Sequence, residues 1–233
     1  MIKDQQNFRF APTTILYPFF FVLSLWFVYW AQVRFGYDLT NYGILPRKIS
    51  GLRGILCSPF LHGSVKHLYN NSFPLLILGC ILLYFYEKQS TKVIIYGTLL
   101  TGFLTWLTGR EAYHIGASGI IYMLTSFIFF KGIFTRYYRL IALSLLVVFL
   151  YGGLLWYLFP IDNEISWEGH LSGFISGFIL AVLIRDNLPK PVRYSWEKED
   201  YDENADPFLK HFDQNGNFIE FPEEEPRDPE KEK

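Results

Sequence analysis

Charge is scarce in this chain and cysteine almost absent. Asp, Glu, Lys and Arg make up 18% of the 233 residues, against about 25% in soluble globular domains. Two cysteines, Cys57 and Cys80, cannot build the disulfide framework that holds small secreted domains together. Cys80 lies in an apolar run and reads as a packed thiol. A formal net charge of −1 gives no basic surface for nucleic acid. That average hides two unlike parts. Residues 1–184 carry 13 Lys/Arg and 7 Asp/Glu, whereas residues 185–233 carry 8 and 15. A simple soluble globule is excluded.

What is present is a set of long stretches with no Asp, Glu, Lys or Arg: 10–33, 67–86, 93–109, 112–130, 140–161 and 169–184. A helix crosses the hydrocarbon core with about 20 apolar residues, in a range of about 17–25. In lipid, backbone polar groups must be satisfied within the segment, so these runs read as helices. The expected fold class is an all-α membrane protein with six transmembrane helices and a long first outer loop. The run 10–33 is too long for a signal-peptide core and lacks a small-residue cleavage site after it; it reads as retained.

The cations set the expected orientation. Lys3 and Arg9 precede the first run, Lys88 and Lys92 separate the second and third, Lys131, Arg136 and Arg139 separate the fourth and fifth, and Arg185, Lys190 and Arg193 follow the sixth. All fall on one side of a six-span chain, which puts both termini in the cytoplasm. The opposite connections are poor in cations, with Arg110 between the third and fourth runs and Asp162, Glu164 and Glu168 between the fifth and sixth. The first outer loop, about 34–66, departs from this with five cations. Its uncharged stretch 54–65, which contains Pro59, is too short to span and reads as lying in the interface or dipping into the bilayer. The chain divides into a cytoplasmic N-terminus (1–9), a membrane domain (10–186) and an acidic, Pro-punctuated cytoplasmic tail (187–233) whose composition predicts disorder. Within the tail, FLKHF and NFIEF are apolar islets suited to docking.

Three polar clusters interrupt the apolar runs, and polar groups at membrane depth tend to mark function. The first is HIGASGIIY, 114–122. Gly116, Ala117 and Gly119 surround Ser118, so backbone can approach its hydroxyl closely. At a helix start the free N–H groups face any developing anion. A small-residue packing face is the structural alternative. The second is GHLSGFISG, 169–177. His170, Gly173 and Gly177 stand at i, i+3 and i+7, on one helix face. Ser118 and His170 then lie near the outer ends of parallel helices at similar depth, the placement a nucleophile and its base require. The third is HGSVKHLYNNSF, 62–73. His67 and Asn71 are i and i+4 and can both donate hydrogen bonds to an oxyanion. Asn70 points about 100° away, and His62 reads as structural.

Together these clusters resemble the rhomboid intramembrane serine proteases. The resemblance rests on His67 and Asn71, on Gly116-Ala117-Ser118-Gly119, on His170 with Gly173 and Gly177, and on the span count and long first loop; it covers about residues 10–186. It implies a six-helix rhomboid-like bundle with Ser118 as nucleophile and His170 as general base, a dyad without Asp. His67, Asn71 and the Ser118 N–H would form the oxyanion hole. Tyr122 matches the tyrosine that packs against the histidine, and Glu87 a structural glutamate at the inner end of the second helix. The chain departs from the family where a Trp-Arg pair is common, having Leu52-Arg53, and has Gly169 before the histidine where Ala is common.

The implied activity is endopeptidase cleavage of transmembrane segments near their outer end through an acyl-enzyme. No cofactor and no metal is expected. The partners are transmembrane protein substrates and the lipid bilayer, with no nucleic acid. The location is a bacterial cytoplasmic membrane, crossed several times. With no Asp, tautomer control of His170 falls to packing by Tyr122. Two other readings compete: a catalytically silent relative that binds membrane proteins, and a transporter or metal site on His62, His67, His114 and His170. The second lacks an HExxH motif and an acid deep in a helix.

Overall fold

A computed structural model of the chain describes residues 10–161, 165–185, 194, 196 and 198–220. Lys3, Arg9, Lys190, Arg193, Asp162 and Glu164, used above for orientation, lie outside the described residues. The chain forms two compact units, 1–189 and 190–233, each taken by itself below.

The first unit is helical. Its long helices are α1 (Thr13–Phe35), α3 (Val65–Phe85), α4 (Glu87–Thr108), α5 (Ser118–Phe134), α6 (Tyr138–Tyr151) and α7 (Trp167–Leu183), with a four-residue α2 (Gly54–Cys57) in the first loop. Each of the six long helices overlaps one charge-free run, but α4 begins six residues early and takes in Lys88 and Lys92, expected between helices, and α6 ends at Tyr151 with a 3₁₀ segment, Gly152–Leu158, continuing its run; local chemistry sets their ends. Gly36 stops α1 in the left-handed region at φ 68°, its N–H bonded to the Gln32 carbonyl. Ser64 caps α3 by accepting from the His67 N–H at 3.1 Å, and Ser166 caps α7 by accepting from the Gly169 N–H at 3.2 Å.

Three helical stretches, Thr13–Phe35, Val65–Phe85 and Tyr138–Leu158, are long and apolar enough to cross a membrane, and α5 and α7 are shorter apolar helices. Large hydrophobic side chains cover the outside of the bundle; Phe149 is 83% exposed and Leu183 69%. In water such a surface would drive association, whereas in a bilayer it faces acyl chains. The first unit is a multi-pass membrane bundle.

Helix α5 is the central element, packing on α3, α4, α6 and α7. Its closest neighbour is α7, and the glycines explain why. A Cβ on Gly173 would stand 2.2 Å from the Gly119 carbonyl oxygen, and one on Gly177 would stand 2.2 Å from that of Met123. The i, i+4 glycine pair therefore lets the two backbones touch, as small residues do between membrane helices. Two serines inside the bundle find carbonyl partners: Ser126 donates to Phe174 O at 2.7 Å and Ser144 to Leu140 O at 2.8 Å.

Several charges sit differently from the sequence reading. Lys131 is not a loop cation. It lies inside α5, only 3% exposed, and its Nζ donates to the carbonyls of Ala181 at 3.1 Å and of Ile184, closing the C-terminal end of α7. Glu87, expected at the inner end of the second helix, is instead the first residue of α4, where a carboxylate complements the helix dipole. The first loop has regular local structure. It folds as short 3₁₀ turns (Thr40–Tyr42, Ile49–Arg53, Ser58–Phe60) around α2 and packs on itself so tightly that a Cβ on Gly54 would stand 2.3 Å from Gly43. Arg53 lies over the Tyr42 ring at 4.4 Å and donates to Asn41 O at 2.9 Å. Arg47 donates to Gly109 O at 2.7 Å and Trp106 to Lys48 O at 2.8 Å, fastening the loop to the end of α4.

In the second unit, Asp213 accepts from the N–H groups of Asn215 and Asn217, each at 2.8 Å, and Gly216 turns the chain at φ 81°. The turn brings the two apolar islets together: Phe212 and Phe218 form a bridge, with ring centroids 5.8 Å apart.

Candidate active site

The segment before α5 is held from two sides. His114 and Ile44 exchange both backbone hydrogen bonds at 2.9 Å, and the Gly116 N–H donates to Ser58 O at 2.9 Å. Gly116 adopts φ +109°, closed to other residues without strain, and a Cβ there would stand 2.7 Å from the His67 ring. The chain then enters α5 at Ser118, whose N–H lacks an i−4 acceptor by construction.

Ser118 Oγ lies 2.9 Å from His170 Nε2, and His170 Nδ1 lies 3.0 Å from the Tyr157 carbonyl oxygen. A carbonyl only accepts, so Nδ1 carries the proton and donates it to Tyr157. Nε2 is then unprotonated and accepts from the Ser118 hydroxyl. That is the tautomer a base needs, and the orienting group is a backbone carbonyl in the 3₁₀ segment Gly152–Leu158 that follows α6. The sequence reading gave this task to the packing of Tyr122. The Tyr122 ring does stack on His170, with centroids 4.2 Å apart and planes inclined by 14°. Its hydroxyl, however, donates to Leu154 O at 2.7 Å, in the same 3₁₀ segment. The ring fixes the plane of the imidazole and the Tyr157 carbonyl fixes its proton.

His67 and Asn71 both face the Gly116 turn; a Cβ on Gly116 would meet His67 Nε2 at 2.7 Å and Asn71 Nδ2 at 3.6 Å. Asn71 Nδ2 also lies 3.1 Å from His62 Nε2. An amide nitrogen only donates, so His62 Nε2 accepts and holds the Asn71 head. Burial pushes the His62 imidazole down to about 4, aided by the neighbouring His67, so it is neutral near pH 7 and free to accept. The structural role expected of His62 is thus orientation of Asn71.

In front of Ser118 opens a cavity of about 610 Å³ lined by His67, Asn71, Tyr122, Leu154, Tyr157 and His170. Behind it lies a cavity of about 40 Å³ lined by Thr101, Thr105, His114, Ser118 and Ser166. It has room for a water, and beside it the Thr101 hydroxyl has no hydrogen-bond partner. Asn70, set aside on helical geometry, also borders the larger cavity.

A Rhomboid domain profile matches residues 50–187, well over half the chain. The chain belongs to the rhomboid family. Similar proteins include the uncharacterized protein Rv1337 of Mycobacterium tuberculosis (strain ATCC 25618 / H37Rv), 35% identical over 181 residues and covering 74% of each chain. The uncharacterized protein ML1171 of Mycobacterium leprae (strain TN) is 34% identical over 157 residues, covering 64% of this chain and 62% of its own. In this rhomboid the geometry brings together Ser118, His170, Tyr122, His67, Asn71, Gly116 and Gly119, with Gly173 and Gly177 holding α7 against α5. Sequence reasoning missed the Tyr157 carbonyl, which no residue type announces. It also missed Arg110 and Glu168, read only as loop charges; they form a half-buried ion pair at 3.3 Å, with the Glu168 side chain 5% exposed and that of Arg110 36%. The one signal for that pair was a glutamate two residues before His170.

Proposed function

We propose that this rhomboid is an intramembrane serine endopeptidase that cleaves transmembrane segments through Ser118 and His170. The observation that carries the reading is the hydrogen-bonded line Ser118 Oγ, His170 Nε2, His170 Nδ1, Tyr157 O at 2.9 and 3.0 Å. A silent scaffold has no need of a base held in one tautomer against a hydroxyl.

The steps follow from the atoms. His170 Nε2 takes the Ser118 proton as Oγ attacks a substrate carbonyl carbon. The resulting oxyanion lies against His67, Asn71 and the Ser118 N–H at the positive end of α5. Nδ1 stays protonated, and the Tyr157 carbonyl spreads the charge of the imidazolium. His170 then gives its proton to the leaving amine, and an acyl-Ser118 remains. A water in the larger cavity, which both Ser118 and His170 line, gives a proton to His170 as its oxygen bonds to the acyl carbon; His170 then returns that proton to Ser118 Oγ as the ester bond breaks and the carboxylic acid leaves. The substrate strand must be extended at the cut, because a continuous helix hides its carbonyls within its own hydrogen bonds. By the distribution of Lys and Arg, the site opens toward the outer face of a bacterial cytoplasmic membrane and both termini lie inside.

Covalent labelling tests the reading. A fluorophosphonate probe added to membranes holding the full chain should label the wild type, and Ser118→Ala should abolish the label. Equal labelling of both proteins would refute the assignment of the nucleophile.

A further inference from the structure

A second set of polar contacts joins the two elements that carry the dyad, and none of its members takes part in the chemistry above. Arg110 lies just after α4. Its N–H donates to Glu168 Oε1 at 3.3 Å, its Nη1 to the two Glu168 oxygens at 3.4 and 3.3 Å, and its Nη2 to Ile165 O at 3.0 Å. Glu168, in the first turn of α7, is only 5% exposed. Four residues after Arg110, His114 Nε2 donates to Arg110 O at 3.1 Å, which leaves Nδ1 to accept from the Ser166 hydroxyl at 2.5 Å. Ser166 Oγ in turn accepts from Gly169 N–H, the cap of α7. Residues 110–114, which lead to Ser118, are thereby tied side chain by side chain to residues 165–169, which lead to His170. The backbone pairing of His114 with Ile44 backs this tie from the first loop.

The placement gives the tie its meaning. Helices α5 and α7 touch at Gly119 and Gly173, where the backbones are in contact. That contact fixes the pair just inward of the dyad, and Gly119 also faces the Gly169 carbonyl, where a Cβ would stand 3.3 Å from the oxygen. The Arg110–Glu168 and His114–Ser166 contacts close the other side, so Ser118 and His170 are bracketed between two fixed points. A half-buried ion pair adds little to stability, because water screens its exposed end. It is a good device for register, because hydrogen bonds hold one geometry. A misplacement of about 1 Å can lower a rate about 10²-fold.

We propose that Arg110 and Glu168, with His114 and Ser166, are positioning residues that set the approach of His170 to Ser118. This rests on the peptidase reading, which it deepens by naming what holds the dyad in register. The test uses the full chain in detergent with a transmembrane test substrate. The double variant Arg110→Met/Glu168→Leu replaces the pair with apolar side chains. It should melt close to the wild type, keep KM within about twofold and lose about 10- to 100-fold in kcat. The ¹⁵N signal of His170 Nε2 should move toward that of an imidazole without a hydroxyl partner. Glu168→Gln, which keeps an oxygen acceptor and the side-chain shape, should restore most of kcat. Wild-type kcat and an unmoved His170 signal in the double variant would overturn the proposal. If the double variant does not fold, Glu168→Ala decides: a fall in kcat of about threefold or more at constant KM, recovered in Glu168→Gln, supports the tie, and wild-type kcat in Glu168→Ala overturns it. If the wild type cleaves nothing, the peptidase reading falls by itself. The His170 signal then judges the tie, a shift in the double variant supporting it and none overturning it.

Discussion

Replacing His170 with asparagine should lower turnover of a transmembrane substrate by about 10⁴- to 10⁶-fold, the range seen when serine proteases lose a member of the nucleophile–base unit. The asparagine amide can still donate to the Tyr157 carbonyl, but the oxygen it then presents to Ser118 is almost without basicity. Among the described residues, the other candidates are engaged elsewhere: His67 lies against Gly116, and Glu168 is held by Arg110. The fold should survive, because the α5–α7 contact depends on Gly173 and Gly177 and not on the imidazole. Steady-state cleavage of a transmembrane substrate, read beside the thermal melt of the same preparation, checks both halves. Near-normal turnover in a folded His170→Asn protein would place the base elsewhere.

Asn71→Ala should cost about 10²- to 10³-fold in kcat with little change in KM, the loss expected when one oxyanion donor is removed. Asn71 Nδ2 has two hydrogens. One is held by His62 Nε2 at 3.1 Å, which leaves the other for charge that develops beside the Gly116–Ser118 turn. The stabilisation exists only when the carbonyl oxygen becomes an oxyanion, so the ground-state complex is spared. Kinetics with one substrate over a range of concentrations separates kcat from KM. A rise in KM at constant kcat would mean that Asn71 binds substrate and not the transition state.

Much of this molecule was legible in the sequence, and the reason is physical. A bilayer excludes charge over a fixed thickness, so the charge-free runs had to become helices, and α1 and α3–α7 fall on them. Glycines at positions 173 and 177 share a helix face whatever the rest of the fold, so a face able to pack closely on another helix could be read from spacing. The same holds for His67 and Asn71. The first loop was less legible, because its short turns owe their shape to tertiary contacts such as Arg47 with Gly109 and Ile44 with His114. Lys131 was misread because a cation near the end of an apolar run is most simply a loop charge. Only the fold reveals that α7 ends beside it with carbonyls to satisfy. The Tyr157 carbonyl leaves no trace in residue identity, since every residue carries one. The Arg110–Glu168 pair joins residues 58 positions apart, beyond the reach of any local pattern.

The central claim is that Ser118 and His170 hydrolyse a peptide bond within a membrane. Its most direct measurement is cleavage of a transmembrane substrate by the purified full chain in proteoliposomes, with the product termini determined by mass spectrometry. Wild type should make one defined cut near the outer end of the substrate span, and Ser118→Ala none. The same cut made by both proteins, at comparable rates, would contradict it.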